Sequence, residues 1–337
     1  MKALLIDGLH SCRMAEVADP HPGPGEVLVE IRHVGLCGSD LATFTGLNPL
    51  VSLPRVPGHE LGVVILKAGP GVPADHAPGR RAVVMPYTAC GACTACRAGR
   101  VNACRHNRTL GVQQDGGLCE RLVLPYGKLI LNDRLAPRHL ALVEPLSVGF
   151  HAVDRGRIAQ GDTVVVLGCG MIGMGAVIAA VARGARVIAV DYGDKTRTAL
   201  RYGAVAGLDP TAGDVADRVA ELTGGDGADV VIEAVGLPAT FTQAIDLASY
   251  GGRVVYIGYS KAPVSYETRF FNLKELDILG SRNALRSDFD AVIAWMEECA
   301  TSPDDLITRV FPFDRAAEAL PYWQHDRAGT LKLLVEL

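Results

Sequence analysis

Residues 1–150 show short strand-like apolar runs, such as 26–34 and 61–67, set between stretches rich in glycine and proline. Punctuation of that kind predicts a separate, mainly β domain. The pattern changes at Thr163. Residues 163–167 (Thr-Val-Val-Val-Leu) are largely β-branched with no polar break, as in a strand buried on both faces. Residues 172–181, rich in alanine and methionine, predict a helix. Buried strands are predicted again at 186–191, 228–233, 252–257 and 276–279, with helices near 214–223 and 239–249 between them. Strands alternating with helices predict an α/β fold with a doubly wound parallel sheet. From about Arg286 the pattern predicts a long amphipathic helix, a strand at 307–311, a helix at 314–323 and a last strand at 331–336.

One stretch invites a different reading. Residues 164–182 carry no charge and are long enough to span a bilayer. Gly168, Gly170, Gly173 and Gly175 divide the stretch, and strand, tight turn and helix describe it better than a membrane span. The glycines form Gly168-Cys169-Gly170-Met171-Ile172-Gly173, a G-x-G-x-x-G motif between strand and helix. The first glycine permits the turn, the second lets a pyrophosphate approach the backbone, and the third lets helix and strand pack closely. Met171 and Ile172 open the helix, whose N-terminal N–H groups face the phosphates. The next strand ends in Asp191, whose carboxylate suits ribose hydroxyls and repels a 2′-phosphate, so NAD is expected over NADP. Lys195 and Arg197 follow closely and oppose that preference.

Cys90, Cys93, Cys96 and Cys104 fall within fifteen residues, spaced C-x2-C-x2-C-x7-C. Four thiolates that close can surround one zinc ion tetrahedrally. A ferredoxin-type cluster has a shorter last gap followed by proline, whereas Arg105 stands here. Disulfides fit poorly in a large, cysteine-poor chain.

Composition narrows the class. The chain has 337 residues, 49% of them hydrophobic and 21% charged, which excludes disorder as the main state. A net charge of -4 gives no reason to expect nucleic acid or an anionic membrane as partner. Asp7 interrupts the apolar start before a signal-peptide core forms, and nine cysteines with four clustered as ligands suit a reducing, cytoplasmic setting.

Cys37, His59 and Glu144 supply a thiolate, an imidazole and a carboxylate, the donor types of a catalytic zinc with an open fourth position. Spacing alone does not join them. Gly-Leu-Cys-Gly-Ser-Asp at 35–40, Pro-Gly-His-Glu at 57–60, the cysteine lobe, Asp115-Gly-Gly, Glu144-Pro-Leu-Ser-Val and the glycine motif do so together. On these the chain resembles the zinc-containing medium-chain alcohol/polyol dehydrogenase family over essentially its whole length. The resemblance implies a GroES-like catalytic domain from residues 1–152 and 286–337, with a zinc lobe at 86–106, and a Rossmann domain at 153–285. It implies two zinc ions and NAD per subunit, a cleft for zinc and nicotinamide, and a homodimer or homotetramer.

Within the family the softer motifs at 54–60, 110–117 and 280–284 are similar to the branch of sorbitol and threonine dehydrogenases, and most to its L-gulonate and L-galactonate 5-dehydrogenases. A sugar acid needs a cationic partner, for which Arg282, beside Asn283, and Arg55 are the candidates. Sorbitol and L-threonine are the alternative substrates. A zinc-free quinone reductase or a non-catalytic sensor on the same fold would lack Cys37, His59 and Glu144 together. The mechanism implied has zinc lowering the pKa of a substrate hydroxyl, Ser39 taking its proton, and hydride passing to NAD. Asp40 is expected to orient His59 by a hydrogen bond. Glu60 either ligates zinc in an alternative state or anchors the site. The family's relay histidine is missing, since Ala42 occupies its place.

Overall fold

The computed structural model describes residues 1–337, and its chain contacts divide them into two units. One comprises Met1–Glu144 with Ile293–Leu337, the other Pro145–Val292. Both divisions fall inside helices, Pro137–Arg155 and Arg286–Glu298.

The first unit is built on a seven-stranded sheet in the order Arg309–Pro312, Leu333–Glu336, Glu26–Gly35, Glu60–Ala68, Arg81–Val84 and Leu129–Leu131, with Arg121–Pro125 also paired to Glu26–Gly35. The central strand buries Val27, Val29 and Ile31 completely, as period-two alternation requires for one covered face. Its register against Glu60–Ala68 shifts between Ile31 and His33, a bulge that bends the strand shortly before Cys37. Strand Leu333–Glu336 pairs antiparallel with the same strand, so both chain ends share one core.

The second unit holds a six-stranded parallel sheet in the order Ala206–Leu208, Arg186–Val190, Thr163–Leu167, Ala228–Glu233, Ala248–Tyr256 and Asp277–Gly280. This is the doubly wound arrangement, with the order reversing beside Thr163–Leu167. The sequence pattern overlooks the edge strand Ala206–Leu208, which has only three residues with Gly207 at its centre. Helix Met171–Ala182 crosses helix Pro137–Arg155 where Gly149 meets Gly175 and its neighbours; a Cβ on Gly175 would lie 3.0 Å from Leu146 Cα. No helix is long and apolar enough to cross a membrane.

Candidate functional site

Strand Glu26–Gly35 delivers Cys37 to the start of helix Gly38–Phe44, where Cys37 is the N-cap. Asp40, three residues on, is buried, and its Oδ2 accepts the Cys37 N–H at 2.9 Å. Its Oδ1 accepts the Gly58 N–H at 3.3 Å. Asp40 therefore ties the cysteine segment to the histidine segment through backbone. This corrects the expected bond to the His59 ring, whose Nδ1 is buried without a partner. A carboxylate at the third helical position reaches back to the N-cap N–H by local geometry, and that geometry prevails. The Asp115-Gly-Gly segment fastens the histidine loop, since Gly116, Gly117 and Leu118 donate to the carbonyls of Val56, Gly58 and Pro57 at 2.8–3.0 Å.

Donor atoms of Cys37, His59 and Glu60 lie within 4.8 Å of one another. Burial pulls the His59 pKa down, but the charges of Cys37, Asp40 and Glu144 outweigh it and raise the value well above the usual range. Glu60 is fully buried, and both its oxygens accept from Lys332 Nζ, at 2.7 and 2.5 Å. The same ammonium donates to the Leu36 carbonyl at 2.9 Å. Gly35 stands opposite Glu60 in the sheet, and a Cβ there would collide with the carboxylate. Sequence reading missed Lys332. Its one signal was a lone lysine within the apolar end of the chain.

Glu144 lies inside helix Pro137–Arg155, which accommodates Pro145 in its interior. Its Oε1 accepts the hydroxyl of buried Tyr87, another residue that sequence reading missed. Burial and the Glu144 charge hold the Tyr87 pKa well above its ordinary value, so the phenol remains a donor. Glu144 is not among the donors that converge within 4.8 Å, but its charge acts on His59. Converging thiol, imidazole and carboxylate donors, with His59 Nδ1 buried and unpartnered, suit a divalent cation; Ser39 Oγ, two residues after Cys37, is likewise buried without a partner.

The cysteine lobe forms a second donor set. All nine cysteines are free thiols, and the sulfurs of Cys90, Cys93, Cys96 and Cys104 lie within 4.8 Å of one another. The Cys93 sulfur is 3.5 Å from that of Cys96 and 4.0 Å from that of Cys104. Zinc–sulfur bonds of about 2.3 Å in a tetrahedron place sulfurs about 3.8 Å apart, so the cage fits the ion. Backbone N–H groups of Cys96 and Arg105 pull the Cys93 thiol down to about 6, while burial pushes Cys96 up to about 12.

In the second unit the three motif glycines play separate roles. Gly168 has φ 89°, a Cβ on Gly170 would meet open space, and one on Gly173 would collide with the Gly168 carbonyl. The open face at Gly170 leaves room for a pyrophosphate, so the turn fits a dinucleotide. Asp191 accepts the Cys169 N–H at 2.7 Å and the Tyr192 N–H at 2.6 Å, which sets its carboxylate against the glycine turn. Arg197, exposed, pairs with Asp194 at 2.7 Å. Arg282 is exposed just beyond strand Asp277–Gly280, and Asn283 follows with φ 50°. Arg55 is drawn into an ion pair with Asp115 at 2.9 Å, which occupies it structurally and weakens its candidacy for substrate.

Two family models match the chain: an alcohol dehydrogenase GroES-like domain over residues 23–133, and a zinc-binding dehydrogenase over residues 172–298. L-galactonate-5-dehydrogenase of Escherichia coli K12 is 38% identical over 301 residues, which cover 89% of this chain and 88% of that protein. A Sinorhizobium meliloti 1021 structure, described as a zinc-binding dehydrogenase bound to NADP, superposes with a TM-score of 0.91 at 35% identity, over 100% of this chain and 99% of that one. The RspB alcohol dehydrogenase of Escherichia coli CFT073, complexed with NADH, gives 0.92 at 31% identity with the same coverage.

Proposed function

This chain belongs to the zinc-type medium-chain alcohol dehydrogenase family, and we propose that it oxidises a secondary alcohol of a sugar acid, of the L-galactonate or L-gulonate kind, to the keto acid with NAD. The observation that carries the substrate class is the 38% identity, over most of both chains, to a protein named for oxidising L-galactonate.

Cys37, His59 and Glu144 would hold the catalytic zinc, and the four lobe cysteines a structural one. Lys332 pairs with Glu60, so Glu144, which accepts the Tyr87 hydroxyl, is the carboxylate that would bind the cation. The metal supplies Lewis acidity toward the substrate hydroxyl, and the coenzyme supplies hydride acceptance. Ser39 Oγ, buried and without a protein partner, takes the hydroxyl proton. With alanine at position 42, that proton continues through water. Asp191 reads the adenosine ribose and disfavours a 2′-phosphate, and the pairing of Arg197 with Asp194 leaves that carboxylate the dominant charge.

Arg282 supplies the cation for the substrate carboxylate. A charge-assisted bond of this kind contributes about 1.5–3 kcal/mol. Arg282→Ala is therefore expected to lower kcat/KM for an aldonate by about ten- to a hundredfold, and for sorbitol far less. Parallel kinetics on both substrates check this. Equal losses would assign Arg282 to the coenzyme or to the fold.

A further inference from the structure

Glu233 ends strand Ala228–Glu233 and is a fully buried carboxylate that the reaction above leaves unused. Its Oε1 accepts three hydrogen bonds, from the Val235 N–H at 2.9 Å, the Gly236 N–H at 2.7 Å and the Thr240 hydroxyl at 2.7 Å. Its Oε2 is buried with no partner. The Glu233 carbonyl accepts from Ile257 and Gly258 at 2.9 and 3.0 Å. One residue thus clasps the turn after its own strand to the turn after the neighbouring strand. Gly258 is required for that clasp, because a Cβ there would collide with Oε2. Gly236, at φ 84°, packs against the backbone of Tyr259.

The clasped turns also touch the phosphate turn. A Cβ on Gly168 would lie 2.7 Å from Val235 Cγ2 and 3.2 Å from the Ala234 carbonyl carbon. The three turns form a continuous rim at the carboxyl edge of the sheet, on the side of the switch point away from Asp191. In a sheet of this order the dinucleotide lies across that edge, one nucleotide on each half. Asp191 belongs to the adenosine half, which leaves the clasped turns under the nicotinamide half. There Val235 is 44% and Leu237 56% exposed, apolar side chains held toward solvent by a backbone that Glu233 fixes.

We propose that Glu233 is a positioning residue for the nicotinamide half of the coenzyme, its carboxylate holding Val235 and Leu237 as an apolar floor for the ring. This rests on the NAD-dependent reading above. The carboxyl group acts only through the turn: acceptance by one oxygen fixes three donors of the turn and its following helix at once.

The test uses the full-length, zinc-loaded protein. NADH binding is followed by its fluorescence, ADP-ribose binding by calorimetry, and folding by thermal unfolding. Glu233→Ala is expected to weaken NADH by about ten- to a hundredfold and to abolish the blue shift of bound NADH, while ADP-ribose changes by less than about twofold. Glu233→Gln, which keeps an acceptor oxygen, should recover most of the affinity and the blue shift. Thr240→Val, which removes one donor to Glu233 and the acceptor of the Leu237 N–H, should weaken NADH by about threefold with ADP-ribose unchanged, its thermal unfolding compared in parallel. Equal weakening of NADH and ADP-ribose, or unaltered NADH binding in Glu233→Ala and Thr240→Val, would overturn the proposal while the dehydrogenase reading stands. An unaltered protein that binds no NADH would overturn both.

Discussion

Replacing Cys37 by serine is expected to abolish turnover and to remove one zinc ion while a second stays bound. The Cys37 sulfur belongs to the set whose donors converge within 4.8 Å, and a serine hydroxyl is a far poorer ligand than a thiolate. Loss of several kcal/mol of Lewis-acid stabilisation lowers kcat by about a thousandfold or more. The fold should survive. Cys37 sits at a helix N-cap, a position that serine serves well, and Asp40 still accepts its backbone N–H. Cys93→Ser should behave in the opposite way. It removes a sulfur at the centre of the lobe, and a structural zinc contributes its binding free energy directly to folding. That variant should lose the other ion and unfold at lower temperature. Zinc content by atomic absorption, circular dichroism and NADH formation separate the two. A Cys37→Ser protein that keeps both ions and full activity would remove Cys37 from the site.

The second large effect belongs to Lys332. Its ammonium meets both oxygens of Glu60, and both side chains are almost wholly buried. Lys332→Met leaves a buried carboxylate without its cation, which costs about 3–5 kcal/mol of stability. Released from Lys332, Glu60 turns toward Cys37 and His59. The zinc should then resist a chelator longer, and kcat/KM should fall. Glu60→Gln in the same chain removes the stranded charge, so the double variant should recover most of the lost stability. Denaturant midpoints of the two single variants and the double variant provide the check. Additive losses would show that the pair does not act as a unit.

Periodicity was a good guide where elements are long and buried on both faces. The strands at Thr163–Leu167 and Ala228–Glu233 and the helix at Met171–Ala182 are legible because β-branched runs and glycine punctuation are local properties. The cysteine lobe is legible for the same reason. Pro145 hid the helix around Glu144, because proline in a helix interior removes a donor and reads as a break. Asp40 was misassigned although its signal was local: an acid three residues after an N-cap turns back onto that cap's N–H. Lys332 and Tyr87 were out of reach for a different reason. Lys332 meets Glu60 across 272 positions of sequence, and Tyr87 meets Glu144 across 57. Only the sheet pairing that brings Leu333–Glu336 beside Glu26–Gly35 shows what the lysine is for.

The most direct measurement is the initial rate of NADH or NADPH formation by the zinc-loaded protein on L-galactonate, L-gulonate, sorbitol and L-threonine, each with NAD and with NADP. An aldonate with NAD should give the highest kcat/KM, at least about tenfold above sorbitol and L-threonine, the difference one charged contact supplies. Turnover of sorbitol or L-threonine far above that of either aldonate would contradict the sugar-acid assignment.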